Sequence, residues 1–316
     1  MDTSQDGAGR ILIVGAGATG GFFGARLVQA GRDVTFLVRP HRAAVLGERG
    51  LRITGLGERT LIEPRLITAE EITGAYDVIL LSVKATELAQ AIENVAPAVG
   101  QGTSIVPFLN GMAHLDALNA RFGAASVLGG VVKVATTVNA DGDIVRLAPM
   151  AELVIGEQSG QSSERLMDVY ELLSAAGFDT AVAADIITAM WHKWAFIITV
   201  GALTCLARGS VGEIVAVPGG SGLGPAILAE AAAVSAAAGH PVPAGELDAI
   251  TEMVTQSGSG FTSSMYRDVV AGRPTEAEHV FGDFVARARA LSVSTPLLDL
   301  ATLQLRVHQR RITKAS

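Results

Sequence analysis

Short apolar runs alternate with helical segments over the first part of the chain. Runs rich in β-branched and other aliphatic residues predict buried strands at 10–14, 33–38, 76–83 and 104–109. Between these runs, the spacing of apolar positions predicts helices at 22–30, 41–49, 87–95 and 114–121. A chain that alternates strand and helix in this way is typical of an α/β fold with a doubly wound, mostly parallel sheet.

Several weaker strand signals complete this part of the chain. The runs 51–54 and 61–66 flank Gly55 and Gly57 and predict a hairpin-like excursion. Further strands are predicted at 127–138 and 152–156, with Asp141-Gly142 as a turn between them, followed by a helix at 163–176 and a short strand at 180–183.

The pattern changes near Asp185, after which strand-like runs are almost absent. Helical segments follow at 187–207, 222–238, 243–255, 264–271, 276–291 and 296–310. The chain has 316 residues, which at about 100–200 residues per domain suggests two domains. We therefore expect a flexible tail at 1–8, a strand-containing domain at 9–185 and an all-helical domain at 186–316.

Composition excludes several classes of protein. The formal net charge of −7 argues against a nucleic-acid partner. The single cysteine, Cys205, excludes an internal disulfide framework and a multi-cysteine metal site, and no metal is expected. The longest largely apolar stretch, 194–207, has 14 residues, whereas a membrane-spanning helix needs about 20. We expect a cytoplasmic protein that has no membrane partner.

A glycine motif, Gly15-x-Gly17-x-x-Gly20, follows the first predicted strand and opens the first helix. In this context the glycines let the backbone approach a pyrophosphate, and the helix N-terminus supplies N–H donors and partial positive charge. The motif predicts a dinucleotide site.

The end of the second strand distinguishes between cofactors. NAD-binding proteins place an Asp or Glu there for the ribose 2′-hydroxyl, but this chain has Val38-Arg39-Pro40-His41-Arg42. Arg39 lies 19 positions after Gly20 and can pair with a 2′-phosphate. The sequence therefore favours NADP(H) over NAD, and Arg42 is a candidate to assist.

Two polar residues follow predicted buried strands. Lys84 ends the run Leu80-Leu81-Ser82-Val83-Lys84, and Asn110-Gly111 follows the next strand. Ligands of open α/β sheets bind beyond the carboxyl ends of the strands. We therefore expect Lys84 and Asn110 near the nicotinamide and substrate, although Asn-Gly is also a common turn dipeptide.

Lys193 stands out because the chain has only four lysines and this one lies among aromatic and aliphatic neighbours in a predicted helix. A desolvated lysine with a lowered pKa can act as a general acid or base. His192 does not share its helical face and is interpreted as a packing or surface residue. Ser263, Ser264 and Glu276 have good structural explanations at helix starts, and Thr275-x-x-Glu278 has capping-box spacing.

Together these residues resemble the ketopantoate reductase (2-dehydropantoate 2-reductase) family over almost the whole chain. The matching motifs are the glycine motif with Arg39, Ser82-Val83-Lys84, Asn110-Gly111-Met112, Trp191-x-Lys193, Ser263-Ser264-Met265 and Thr275-Glu276. The resemblance implies an N-terminal Rossmann domain that binds NADP(H). It also implies a C-terminal all-helical domain, similar to that of 6-phosphogluconate dehydrogenase, that carries substrate and catalytic residues.

The resemblance further implies a reaction, the NADPH-dependent reduction of a 2-oxo acid in pantothenate biosynthesis or a sibling reaction. Lys193 would be the catalytic lysine that protonates the carbonyl oxygen, and Glu276 would support catalysis and substrate binding. Ser264 would help bind the substrate carboxylate, while Lys84 and Asn110 would contact both cofactor and substrate. The implied cofactor contacts also include Gly15, Gly17, Ala18, Thr19, Gly20 and Arg39.

Three positions depart from the family pattern. Ile197, Gly201 and Val211 stand where the family usually has asparagines that hold polar groups of the substrate. Their loss removes hydrogen bonds worth about 0.5–1.5 kcal/mol each and predicts a more apolar, roomier pocket. The physiological substrate therefore stays open.

Two alternatives remain beside the reductase. One is a 2-hydroxy-acid dehydrogenase of the same fold that oxidises a more apolar substrate, and the other is a non-catalytic NADP(H) sensor. The joint presence of Lys193 and Glu276 disfavours the sensor, because a sensor needs only the glycine motif and Arg39. The expected partner is a small-molecule 2-oxo acid, and a homodimer is a candidate assembly.

Overall fold

The computed structural model describes residues 9–315, so the tail predicted at 1–8 lies outside the described residues. The chain divides into two compact units. The first comprises the residues up to Leu109 together with His114–Ile187, and the second comprises Asn110–Ala113 and the chain from Thr188 onward. The short segment Asn110–Ala113 thus belongs to the second unit although it follows a strand of the first, which the sequence did not predict.

Five parallel strands form the first sheet of the first unit. They are β1 (Arg10–Val14), β2 (Asp33–Leu37), β5 (Arg65–Ile67), β6 (Val78–Leu81) and β7 (Ser104–Pro107), in the order β5-β2-β1-β6-β7. The chain runs outward from β1 in both directions, so the carboxyl end of β1 is the point where the strand order reverses. Ligands of open α/β sheets bind at such a point.

Four helices follow these strands, namely α1 (Ala18–Gln29), α2 (Pro40–Arg49), α3 (Leu88–Val95) and α4 (Ala113–Phe122). Strand and helix therefore alternate, and the predicted α/β class with a parallel sheet is confirmed. The strands are largely apolar because both faces of the sheet are covered: Ile11, Leu12 and Ile13 have no exposed surface.

The remaining strands of the first unit form a second, mixed sheet rather than extending the first. It contains β3 (Leu51–Gly55), β4 (Glu58–Ile62), β8 (Gly129–Val138), β9 (Ile144–Gly156) and β10 (Asp179–Val182), with α5 (Glu164–Leu173) before the last strand. The pairs β3–β4 and β8–β9 are antiparallel, whereas β3 and β10 each run parallel to β9. The strand predicted at 61–66 is wrong, because that segment contains the end of β4 and the start of β5, which lie in different sheets. The strand predicted at 152–156 begins earlier, at Ile144. The pairing of β3 with β9 joins residues distant in sequence and leaves no local signal, so the division into two sheets was not predicted.

Helix α1 packs against both sheets. A Cβ atom at Gly24 would lie 2.4 Å from the ring of Phe36 in the first sheet, and one at Gly21 would lie 2.5 Å from Ile144 in the second. Phe22 and Phe23 on the same helix are fully buried, and the Phe23 ring meets Phe108 edge-on at 5.3 Å. Glycine at these contact points lets the backbone of α1 approach each sheet.

The second unit is helical, as predicted. Its helices are α6 (Ile186–Ala207), α7 (Val211–Val215), α8 (Gly220–Ala237), α9 (Ala244–Thr255), α10 (Ser264–Val270), α11 (Asp283–Ala290) and α12 (Pro296–Ala315). The sequence did not predict α7, and the helix predicted at 276–291 contains a π-helical turn at Glu278–Gly282. Within the described part of the chain, α6 alone is long and apolar enough to cross a membrane, but most of it is buried, as in the core helix of a soluble protein.

Two Gly→Ala substitutions should have opposite effects on stability. Gly24→Ala places a methyl group against Phe36, so we expect a loss of about 1–3 kcal/mol through overpacking. Gly47→Ala in α2 meets no described atom within 4 Å, so it should stabilise by about 0.5–1 kcal/mol through the lower entropy of the unfolded chain. Urea unfolding of both variants measures the difference. Equal effects of the two substitutions would refute the close approach of α1 to the first sheet.

Candidate active site

The glycine motif forms a tight turn between β1 and α1. Gly15 has φ +94°, and a Cβ atom there would lie 2.6 Å from the carbonyl oxygen of Ser82. Gly20 packs even closer, since its Cβ would lie 2.2 Å from the carbonyl oxygen of Gly15. These two glycines are therefore required by the fold itself.

Gly17 differs from its two partners because it faces open space. It is exposed, and no described atom lies within 4 Å of the position its Cβ would take. Gly17 is the N-cap of α1, where no described side chain caps the helix and the first turn has no acidic residue. Ala18 and Thr19 begin the helix, so its first backbone N–H groups adjoin that open space. This cradle fits a pyrophosphate, which helix N-termini bind through N–H donors and the helix dipole.

Arg39 lies immediately after β2 and before Pro40, the first residue of α2. Its side chain is 72% exposed, and its Nη2 lies 2.8 Å from Oε1 of Glu87. Glu87 ends the short turn Ala85–Glu87 that follows β6. The sequence did not predict this carboxylate, because Glu87 lies 48 positions after Arg39 and gives no local signal at the end of β2.

Arg42, the candidate assistant of Arg39, contacts the backbone of the glycine turn. Its Nη2 donates to the carbonyl oxygens of Ala16 at 3.3 Å and Gly142 at 3.2 Å. It thus joins the glycine turn to the turn between β8 and β9. Burial and the nearby charge of Arg49 lower its pKa. These contacts make Arg42 a support of the glycine turn.

Lys84 and Asn110 fall in different units. Lys84 is exposed, belongs to the first unit and precedes the turn that carries Glu87. Asn110 is half-buried and belongs to the second unit.

Asn110-Gly111 lies against two other predicted site segments of the second unit. Gly111 has φ +81°, and its Cβ position lies 3.7 Å from Cε2 of Trp194. The same position lies 3.2 Å from the carbonyl oxygen of His279 and 3.7 Å from its Cδ2. Trp194 directly follows Lys193, and His279 comes three residues after Glu276. The structure thus brings Asn110, the Lys193 helix and the Glu276 segment into one cluster.

Trp194 fixes the register of α6 against the π-helical turn. Its indole Nε1–H donates to the carbonyl oxygen of Val280 at 3.0 Å. The ring is almost fully buried and meets Phe284 edge-on, with 4.8 Å between centroids. Lys193 is half-buried beside this anchor. The buried, hydrogen-bonded indole of Trp194 fixes the position of α6 along its axis, and with it the position of the backbone of Lys193 relative to the segment that carries Glu276.

His279 is a further candidate site residue, which the sequence did not predict. Its ring hydrogen-bonds to the backbone of Asn110, and the charges of Glu276 and Asp283 act on it. Burial lowers its pKa, and these three neighbours oppose that shift. Its position three residues after Glu276 was the available signal, because residues at that spacing share a face of a helix.

His192, interpreted from the sequence as a packing or surface residue, contacts Pro241 and Glu246. Its Nε2 lies 3.1 Å from the Pro241 carbonyl oxygen, and its Nδ1 lies 3.4 Å from the Glu246 carboxylate. It packs α6 against the start of α9, consistent with its interpretation as a packing residue. Among residues 9–315, no group of three or more His, Cys, Asp or Glu side chains is placed to hold a metal ion.

The two serines before α10 have separate roles. Ser263 is buried, accepts the backbone N–H of Tyr266 at 3.0 Å and lies 2.8 Å from Oγ1 of Thr204. Ser264 is exposed. Ser263 therefore holds the helix start, whereas Ser264 is accessible to solvent.

The capping box predicted from Thr275 and Glu278 is absent from the described structure. Glu278 instead forms a two-point ion pair with Arg306 on α12, in which Nη2 donates to Oε2 at 2.8 Å. That guanidinium lowers the pKa of Glu278, although burial opposes the shift. The π-helical turn begins at Glu278, so this residue does not occupy the third position of an ordinary α-helix.

Family models match both parts of the chain. The model described as ketopantoate reductase PanE/ApbA matches residues 11–160, and the model of its C-terminal part matches residues 185–309. The chain belongs to the ketopantoate reductase family.

Relatives of this ketopantoate reductase family member agree with that assignment. It is 34% identical to an uncharacterized oxidoreductase, YkpB, of Bacillus subtilis, with 95% of this chain and 99% of the relative covered. It is 30% identical to a 2-dehydropantoate 2-reductase of Mesorhizobium japonicum, with 92% and 94% covered. The ternary structure of D-mandelate dehydrogenase with NADH and anilino(oxo)acetate superposes with a TM-score of 0.86 at 20% identity, covering 96% of this chain and 99% of that one. The last likeness establishes the fold.

The positions where this ketopantoate reductase family member departs from the usual asparagines are largely buried. Val211 has no exposed surface, and Gly201 is buried, while Ile197 is half-buried. A Cβ atom at Gly201 would lie 2.9 Å from Cζ of Phe281. The expectation of a roomier pocket is therefore wrong at Gly201, because the fully buried ring of Phe281 fills the space.

Substitution of the two serines should separate their roles. Ser263→Ala removes the cap of α10 and the contact with Thr204, so we expect a loss of about 1–2 kcal/mol in the free energy of unfolding. Ser264→Ala should change that free energy by less than about 0.5 kcal/mol, since the side chain is exposed. Thermal or urea unfolding measures both. A larger loss for Ser264→Ala than for Ser263→Ala would contradict the assignment.

Proposed function

We propose that this protein is an NADPH-dependent oxidoreductase that reduces a 2-oxo acid to a 2-hydroxy acid, a reaction of 2-dehydropantoate 2-reductase type. The observation that carries the proposal is the cluster in the second unit. There, Gly111 contacts both Trp194, beside Lys193, and His279, one turn from Glu276. A protein that only bound the cofactor would need no such cluster.

The cofactor contacts are assigned to the first unit. The N–H groups at the start of α1 face the open space over Gly17 and would hold the pyrophosphate, while Gly15 and Gly20 keep the turn tight. Arg39 would hold the 2′-phosphate from its exposed position at the end of β2. Lys84 would adjoin the nicotinamide side from the end of β6. NADPH, when bound, supplies the hydride.

We assign proton donation and the contacts with the substrate to residues of the second unit. Reduction of the carbonyl forms a C–H bond from the hydride and an O–H bond, so a proton must reach the carbonyl oxygen. Lys193 donates that proton from Nζ and is then reprotonated by solvent. Glu276 and Asn110 bind the polar groups beside the carbonyl, and Ser264 binds the carboxylate of the substrate from its exposed hydroxyl.

An apolar 2-oxo acid is the proposed substrate class. Ile197 lies on α6, the helix that carries Lys193, and the ring of Phe281 packs against Gly201 of the same helix. Positions 197 and 201 are two at which the family usually has amides. A substrate hydroxyl facing apolar atoms loses its bonds to water without replacement. A sibling reaction on an apolar 2-hydroxy acid is the second candidate, and D-mandelate dehydrogenase shows that this fold accommodates an aromatic ligand in a relative.

Arg39→Ala should weaken the binding of NADPH about 10-fold or more, because it removes a charge-assisted contact with the 2′-phosphate. Binding of NADH should change by less than about 2-fold, because NADH lacks that phosphate. Fluorescence titration of each cofactor gives the dissociation constants. Equal losses for the two cofactors would show that Arg39 acts on the fold rather than on the phosphate.

Turnover of two substrates tests the reaction. We expect kcat/KM to be roughly 5- to 150-fold higher for the analogue of ketopantoate that lacks the hydroxyl than for ketopantoate, since an unpaired buried hydroxyl costs about 1–3 kcal/mol. NADPH oxidation is followed by absorbance. A clear preference for ketopantoate would overturn the apolar-substrate assignment.

The variant Lys193→Ala tests the assigned proton donor. If Lys193 donates the proton, kcat should fall by about 10²–10⁴ for both substrates while the dissociation constant of NADPH stays the same. Activity close to wild type in this variant would remove Lys193 from the reaction.

A further inference from the structure

The ion pair between Arg39 and Glu87 crosses the carboxyl end of β1. Arg39 follows β2 and Glu87 follows β6, and these two strands flank β1 in the sheet. The distance of 2.8 Å between Nη2 and Oε1 therefore joins side chains from opposite sides of the glycine turn. The segment after β2 has no acidic residue of its own, but the fold places the carboxylate of Glu87 beside Arg39.

This carboxylate acts on the group that a 2′-phosphate would use. The adenosine ribose of a bound dinucleotide lies at the end of the second strand, so a phosphate held by Arg39 comes within a few ångströms of Glu87. The phosphate shares the guanidinium of Arg39 with Glu87, which already holds Nη2, and the negative charge of the phosphate is repelled by the carboxylate. A dinucleotide without the phosphate meets neither penalty. A carboxylate is also the group that accepts a ribose hydroxyl in NAD-binding proteins.

We propose that Glu87 is a cofactor-selectivity residue that opposes Arg39 and narrows the preference for the 2′-phosphorylated cofactor. The inference rests on the proposed function, because it requires a dinucleotide at the glycine turn. In this arrangement Arg39 attracts the phosphate, Glu87 restrains Arg39, and their balance sets how well the protein accepts NADH beside NADPH.

The local structure permits a clean substitution. Glu87 is 42% exposed and Arg39 is 72% exposed, and exposed ion pairs contribute little to stability. The turn that carries Glu87 is held by its backbone, since the N–H of Glu87 donates to the carbonyl oxygen of Lys84 at 2.8 Å. Glu87→Gln keeps the size of the side chain and removes its charge.

Glu93→Gln is the matched control. Glu93 lies on α3, directly after the same turn, and pairs with Arg121 at 3.5 Å. Both substitutions change the net charge of the protein by the same amount, but Arg39 pairs with Glu87 rather than with Glu93. A gain found in both variants would reflect the overall charge.

The experiment measures equilibrium binding of two probes, adenosine 2′,5′-bisphosphate and AMP, to the full-length protein by calorimetry. For Glu87→Gln we expect the bisphosphate to bind about 3- to 10-fold more tightly, the effect of one carboxylate on a nearby phosphate in screened water, while AMP binding changes by less than about 2-fold. The gain should shrink as the salt concentration rises, because the interaction is between exposed charges. Glu93→Gln should leave both probes unchanged.

The outcomes separate this inference from the proposed function. If wild type binds both probes and Glu87→Gln alters neither, or if Glu93→Gln gives the same gain, the role of Glu87 is overturned and the cofactor site stands. If Arg39→Ala removes the advantage of the bisphosphate over AMP, the 2′-phosphate is confirmed to be recognised beside Glu87. If wild type binds neither probe, the proposed cofactor site itself is wrong, and the inference falls with it.

Discussion

The close approach of α1 to both sheets is the constraint on which the first unit depends. Gly24 faces Phe36 of the first sheet and Gly21 faces Ile144 of the second, at distances that admit no Cβ atom. The same closeness continues into the turn before the helix, where Gly20 packs on the carbonyl oxygen of Gly15. A helix seated this deeply brings its N-terminus to the end of β1. The packing that stabilises the unit therefore also shapes the turn to which we assign the pyrophosphate.

A comparable constraint organises the second unit. Gly111, with its positive φ, fits between Trp194 and His279, while the Trp194 indole bonds to Val280 in the π-helical turn. The extra residue of a π-turn alters which side chains share a face, and such turns are frequent at functional sites. Asn110 is held through the backbone contact of His279. These contacts of Asn110 and Gly111 with residues of the second unit explain why Asn110–Ala113 belongs to that unit.

Local signals predicted much of this structure. The glycine motif, the strands around it and the break near Asp185 were all readable because each depends on neighbouring residues. The second sheet was not, since β3 pairs with β9 across about ninety residues of chain. Glu87 was missed for the same reason, because its partner Arg39 is a neighbour only in the folded chain. His279 had one local signal, its spacing from Glu276, but its contact with Asn110 forms only in the folded chain.

Phe281 shows why a loss of polar residues does not imply a gain in space. Sequence comparison reads Gly201 as a missing side chain, and a missing side chain predicts a cavity. Protein interiors are close-packed, and an empty apolar cavity is destabilising in proportion to its volume. The ring of Phe281 lies directly over Gly201, and a side chain at position 201 would collide with it. The glycine at position 201 and the ring of Phe281 therefore depend on each other, because the ring occupies the space that a side chain at position 201 would need. What differs from the family pattern at this point is the polarity of the surface beside Lys193. In the proposed function, that difference acts on the hydrogen bonds of the substrate rather than on its size.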